Sequence, residues 1–179
     1  MPELASIASL IKDRGFTCKR CGLCCHDTEG SGLVMVGPRE VRAIMAGTGR
    51  TWRDVAEPYP VFLEGPGGCI YTFEWALKRD HGHCVFLEGT HCSIYATRPW
   101  ICRTYPFMLD GDELRISECS GLGGETATTD AVVIAGDLIR RQTEEWVEEA
   151  RIAGHRGALH AYPGRRIVID SEGVKTIDP

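Results

Sequence analysis

The chain has 179 residues, enough for one domain or one domain with appendages. Its 43% hydrophobic content supports a real core, so disulfides are not required for folding. A net charge of -5, with 25% charged residues, excludes a general attraction for nucleic acid or for an anionic membrane surface.

No run of about 18 apolar residues occurs, so no transmembrane helix is expected. The first residues, M-P-E-L-A-S-I-A-S-L-I-K-D-R, lack a basic start and carry Glu3 early, unlike a secretory leader. The expectation is a cytoplasmic protein whose thiols stay reduced and act as ligands rather than as disulfides. Nine cysteines, an odd number, also fit a closed disulfide set poorly.

Taken in order, Pro2 to Arg14 places Leu4, Ile7, Ala8 and Ile11 at helical spacing, with Gly15 just past the end. This predicts a short amphipathic helix that delivers the chain to F-T-C-K-R-C-G-L-C-C-H, residues 16–26. Four cysteines crowd there: Cys18, Cys21, Cys24 and Cys25. Gly22 lets the backbone turn so that sulfurs converge. The C-x2-C-x2-C step matches the start of a ferredoxin-type cluster run, although Cys25 and His26 then follow at once. Neighbouring side chains do not readily point the same way, so Cys24 and Cys25 are expected to face different metals or different edges of one cluster.

Leu33–Val36 reads as a short strand, Pro38 to Met45 as a helix and Trp52–Val55 as a capped helical turn. Residues 61–77 read as strands broken by Gly65-Pro66-Gly67-Gly68. Cys69 just beyond fits either a ligand on a hairpin or a buried small apolar residue. Cys84 and Cys92 flank a turn at Glu88-Gly89 that would bring both sulfurs to one end. Cys102 lies between Pro99 and Pro106, which predict extended or turn backbone. Arg98 and Arg103 would place positive charge beside thiolates. Cys119 opens a glycine turn. His81, His83 and His91 lie near cysteines and read as solvent-exposed loop histidines, with mixed ligation as the alternative, and His26 follows Cys25 directly. Asp130 to Ala153 has the apolar face of a long helix, closed by Gly154, and residues 166–177 carry a hairpin pattern.

The two blocks Cys18-x2-Cys21-x2-Cys24-Cys25 and Cys84-x-Phe-Leu…Cys92-x-Ile-Tyr-x2-Arg98-Pro99-x2-Cys102-Arg103-x-Tyr105-Pro106-Phe107 resemble the CxxCxxCC cysteine-cluster family, the YkgJ-like zinc- or iron-chelating domain. The resemblance spans about residues 16–123 and includes Cys119. Cys69 is an extra, and Ser120 stands where the family commonly has proline. The resemblance implies metal chelation by Cys18, Cys21, Cys24, Cys25, Cys84, Cys92, Cys102 and Cys119. It also makes a methyltransferase-like role conceivable, because related clusters occur in a flagellin lysine methylase.

The expected fold is an irregular α+β domain with short strands and cysteine-rich loops around metal, flanked by helices. Residues 1–129 would form the metal-binding domain with its N-terminal helix. Residues 130–179 would add a helix and hairpin packed on the same domain. Thiolate coordination suits both zinc and iron–sulfur. The C-x2-C-x2-C step favours an iron–sulfur cluster, [4Fe-4S] in type, serving electron transfer or iron handling for a redox or client protein. The alternatives are a structural zinc module for protein binding and a metalloenzyme, either an oxidoreductase or a methyltransferase. No Ser-His-Asp order, P-loop or dinucleotide fingerprint supports an enzyme. Arg98, Arg103 and Tyr105 are expected to support the metal ligands.

Overall fold

Ile7, Ala8 and Ile11 share one face of helix α1 (Leu4–Arg14) and are buried, as their spacing predicts. The computed structural model describes residues 3–26 and 32–177; Pro2, expected near the start of α1, lies outside them. After the cysteine run, β1 (Met35–Val36) leads into α2 (Pro38–Thr48). Pro38 sits in the first turn, where a missing N–H is harmless, and the Glu40 carboxylate accepts the Gly37 N–H at 3.1 Å. The single turn of α3 (Trp52–Val55) is closed by Asp54, whose carboxylate accepts the Thr51 N–H at 3.0 Å and its hydroxyl at 2.6 Å.

Short strands follow: β2 (Ala56–Pro58), β3 (Leu63–Glu64), β4 (Ile70–Phe73) and β5 (Trp75–Leu77), then β6 (Arg79–Asp80), β7 (His83–Cys84), β8 (Leu87–Glu88) and β9 (His91–Cys92). Helix α4 (Trp100–Thr104) corrects the expectation that the flanking prolines hold this stretch out of helix. Pro99 is its N-cap and Pro106 lies beyond its end, the two places where proline does no harm to a helix. A hairpin of β10 (Phe107–Asp110) and β11 (Glu113–Ile116), not anticipated from the sequence, comes next. Helix α5 (Thr128–His155) runs past Gly154 by one residue. The chain ends in the expected hairpin, β12 (Arg166–Asp170) and β13 (Gly173–Thr176). The result is a small α+β protein with many short strands in small sheets.

The chain forms two units, each made from separate pieces of sequence. The first joins residues up to Cys21 with Arg98–Glu145; the second joins Gly22–Thr97 with the residues from Trp146 onward. In the first, Ile7, Ala8 and Ile11 of α1 pack with Phe107 and with Ala131, Ala135 and Leu138 of α5. Phe16 meets Phe107 edge to face at 5.5 Å between ring centroids, a geometry that adds about 0.5–1.5 kcal/mol beyond burial.

In the second unit, β12 lies between β13 and β4 in a four-stranded sheet of order β13-β12-β4-β3. It pairs parallel with β4, Arg166 opposite Ile70, while the other neighbours are antiparallel. Ile167 and Ile169 point into a core with Cys69, Ile152 and Leu159. A three-stranded antiparallel sheet, β1-β5-β2, and the hairpins β6–β7 and β8–β9 complete it.

Glu74 joins β4 to β5 and is only 7% exposed. Its Oε2 is buried without a hydrogen-bond partner. Burial, helped by the nearby carboxylates of Glu148, Asp170 and Glu40 and opposed by Lys175, pushes its carboxyl up to about 8. Asp170 is better served, accepting the Trp75 indole N–H at 2.8 Å and an ion pair from Lys175.

A pH dependence follows from Glu74. Between its ordinary value of 4.5 and about 8, the folded chain keeps a proton that the unfolded chain has released. Stability therefore falls as pH rises through this window, by at most about 1.4 kcal/mol per pH unit, and the penalty is complete above it. Urea denaturation from pH 5 to 8.5 should show this slope in the native chain, and Glu74→Gln should flatten it.

Candidate metal centre

In the first unit, the chain leaving α1 is laid antiparallel against residues 121–126. Phe16 bridges Leu122, the Thr17 N–H donates to the Gly121 carbonyl at 3.0 Å and the Gly123 N–H to the Gly15 carbonyl at 3.0 Å. The Thr126 hydroxyl bonds both the N–H and the carbonyl of Phe16. Glycine is needed at 121, because a Cβ there would sit 2.5 Å from the Thr17 carbonyl oxygen. This pairing brings the backbone of Cys18 alongside the turn that opens at Cys119.

Two contacts extend it. The Cys119 sulfur accepts the Gly121 N–H at 3.4 Å. The Cys21 sulfur lies 3.7 Å from the Ser120 hydroxyl. Ser120, noticed in the sequence only as a departure from the family's proline, thus supplies a polar partner to a cysteine.

Cys102 enters on α4. The Tyr105 hydroxyl, just past that helix, donates to the carbonyl of Glu118, next to Cys119. Arg98 donates to the Cys102 carbonyl at 3.5 Å. The expectation that Arg103 faces a thiolate is corrected. Its guanidinium pairs with Asp137 at 2.7 Å and lies over Trp100 at 4.7 Å, tying α4 to α5. A charge so engaged with a carboxylate positions the helix that carries Cys102.

In the second unit, Gly22 adopts the left-handed conformation, φ +73, and starts one 3-10 turn over Leu23–Cys25. The Cys25 N–H returns to the Gly22 carbonyl at 2.9 Å and the His26 N–H to the Leu23 carbonyl at 3.2 Å. This tight turn keeps the adjacent cysteines in contact: the Cys25 thiol hydrogen-bonds the Cys24 sulfur. His26 bridges His83 of β7, and their rings meet edge to face at 4.5 Å.

Cys84 and Cys92 come from different hairpins. Cys84 pairs with Arg79 across β6–β7, and Cys92 with Leu87 across β8–β9. The Ser93 N–H donates to the Phe86 carbonyl at 2.8 Å. The Cys25 thiol is driven far above the ordinary range by its bond to Cys24, then by burial, then by the negative charge that Cys24, Cys84 and Cys92 would carry. The Cys84 thiol is raised chiefly by burial. The Phe86 N–H and Arg79 oppose this, while Cys92 and Cys24 add to it. Arg79, silent in the sequence reading, therefore provides the cationic influence on Cys84.

The histidines separate into two classes. His26 and His83 meet ring to ring, whereas His81, with its side chain 93% exposed, and His91 make no such ring contact among the described residues; His81, His83 and His91 are all exposed. Cys69 is fully buried among isoleucines and leucine of the second unit's core, which assigns it to packing. Among the described residues, no three His, Cys, Asp or Glu side chains stand close enough together to hold an ion as they are. The donors nonetheless suit one. All four side chains gathered in the second unit are thiols, a soft set matched to zinc or to iron–sulfur and mismatched to magnesium or calcium.

Two substitutions separate packing from chelation. Gly22→Ala should cost about 1–2 kcal/mol from left-handed backbone alone and more from the Leu87 side chain and Thr90 carbonyl, each 3.0 Å from the added Cβ. Metal content should fall with it in anaerobic preparations. Cys69→Ser should leave metal content unchanged and lower the unfolding free energy, measured by urea denaturation, by about 1–3 kcal/mol, the cost of an unsatisfied buried hydroxyl.

Comparison with known proteins agrees with the cysteine pattern. No curated protein matches the chain, and no solved structure does. A family model does match, over residues 17–130: CxxCxxCC, described as "Putative zinc- or iron-chelating domain". That span holds every cysteine of the chain and more than half its length, so the chain belongs to the CxxCxxCC family of zinc- or iron-chelating domains.

Proposed function

We propose that this protein holds an iron–sulfur cluster through its clustered cysteines and serves electron transfer or the handling of iron or clusters for a partner protein. The observation that supports the reading is that a 3-10 turn and two separate hairpins carry Cys24, Cys25, Cys84 and Cys92 into one neighbourhood, with His26 bridging His83 and Gly22 close against Leu87 and Thr90. Thiols brought together from distant segments have little to offer packing at a half-exposed surface. They repel one another once ionised, and a bound cation reverses that repulsion.

Cys18, Cys21, Cys24, Cys25, Cys84, Cys92, Cys102 and Cys119 are the proposed ligands. A bound cluster supplies reversible one-electron chemistry, with a potential set by hydrogen bonds to sulfur and by solvent exposure. The chain's own residues tune both. The Gly121 N–H on Cys119 and the Ser120 hydroxyl beside Cys21 would stabilise the more negative, reduced state. Arg79 does the same near Cys84. Because the thiols stand apart as they are, binding would draw their segments inward, coupling metal to stability.

A structural zinc protein is the second reading, favoured by one observation. Cys18 and Cys21 belong to one unit and Cys24 to the other, so the three cysteines of the ferredoxin-like step need not share a cluster. Four thiolates in each unit satisfy tetrahedral zinc.

Metal and acid-labile sulfide, measured with an absorption spectrum on protein purified without oxygen, decide between them. Iron with matching sulfide and a broad visible band is the expected result. Zinc without sulfide would replace it with the structural reading. No metal of either kind would remove both.

A further inference from the structure

We infer that the eight cysteines form two metal centres rather than one, each built wholly within one unit: Cys18, Cys21, Cys102 and Cys119 in the first, Cys24, Cys25, Cys84 and Cys92 in the second. The inference rests on the reading that these cysteines chelate metal, and it adds their partition and their number.

The geometry divides the CxxCxxCC run in its middle. Cys21 closes the first unit's N-terminal piece, and Gly22 opens the second. The left-handed turn at Gly22 is where the chain changes direction between the second and third cysteines of the run. On one side of it, Cys21 faces Ser120, the neighbour of Cys119, and the Phe16–Thr17 backbone runs against Gly121 and Leu122. The Tyr105–Glu118 bond then fastens the end of the Cys102 helix to the same turn. On the other side, His26 bridges His83, which sets Cys25 beside the strand that carries Cys84. Gly22, at the start of the Cys24–Cys25 turn, lies so close to the Cys92 hairpin that a Cβ there would stand 3.0 Å from the Leu87 side chain and the Thr90 carbonyl.

The count supports the division. Each unit receives four cysteines outside its core, the number that closes a tetrahedral zinc site or ligates one [4Fe-4S] cluster. Cys69, the ninth, is withdrawn into the apolar core and leaves neither quartet with a surplus. Each quartet also draws on one half of the run and on two cysteines from the rest of the chain. The short spacing that looks like a single four-cysteine motif therefore supplies two ligands to each of two centres.

The test is native mass spectrometry, with metal and sulfide analysis, of full-length protein prepared without oxygen. The native chain is compared with Cys102→Ser/Cys119→Ser and with Cys84→Ser/Cys92→Ser. Two centres per chain are expected in the native protein, and each double variant should lose one centre and keep the other, halving the metal. One centre per chain, or complete loss of metal in both variants, would overturn the partition while leaving chelation intact. A native chain without metal would overturn the chelation reading itself. Should a double variant fail to fold by circular dichroism, the exposed single positions give the same answer in a chelator competition. Cys18→Ser and Cys24→Ser should each accelerate one of two release phases by at least about tenfold and leave the other unchanged. Acceleration of a single common phase by both would sink the proposal.

Discussion

Ionised thiols repel, and the second unit sets four of them within one another's electrostatic reach. Burial and mutual charge hold Cys25 and Cys84 protonated in the bare protein. Sulfur is a good ligand only after the proton leaves. The protein's affinity for metal is therefore a balance between expelling thiol protons and gaining metal–sulfur bonds. The surrounding structure adjusts that balance locally, through the Phe86 N–H and Arg79 at Cys84. Nothing in the apolar cores of either unit requires the thiols to meet. The 3-10 turn after Gly22 and the two-residue hairpins do, and they are too short to persist on their own in water.

Metal chelation was legible from the chain alone because cysteine spacing is informative. The C-x2-C-x2-C-C run and the later cysteines indicated metal before any fold was known, and the family model agrees. Helices α1, α2 and α5 followed from their apolar periodicity, and the C-terminal hairpin from alternation and its turn. The failures have physical causes. Helix α4 was obscured by Pro99 and Pro106, which break a helix from inside yet bracket one harmlessly. The β10–β11 hairpin carries Asp110 and Glu113 at its turn and half-exposed strands, so its pattern is weak. The contact between Cys24 and Cys25 was not legible, because a single 3-10 turn follows neither the strand rule nor the long-helix rule.

Other positions could not be read because they depend on partners far along the chain. Arg103 seemed a companion for thiolates until Asp137, on another helix, claimed its charge. Ser120 and Arg79 gave no signal, since a hydroxyl and a guanidinium become sulfur partners only through the strand pairing that delivers them. Cys69 looked equivalent to its eight relatives in composition. Only its burial against Ile167 and Ile169 separates it from them.

The parallel pairing of β4 with β12 also bears on how the protein is made. β4 contributes Ile70–Phe73 well before its partner strand, Arg166–Asp170, is synthesised. Until then the nascent chain presents an open strand edge, with Cys69 beside it and the other cysteines already translated. An open edge invites pairing with other chains, and exposed thiols invite oxidation. The closing strand thus acts as a latch that works only once residues 166–170 have been made, and a ribosome that stalls before them leaves behind a product primed for aggregation.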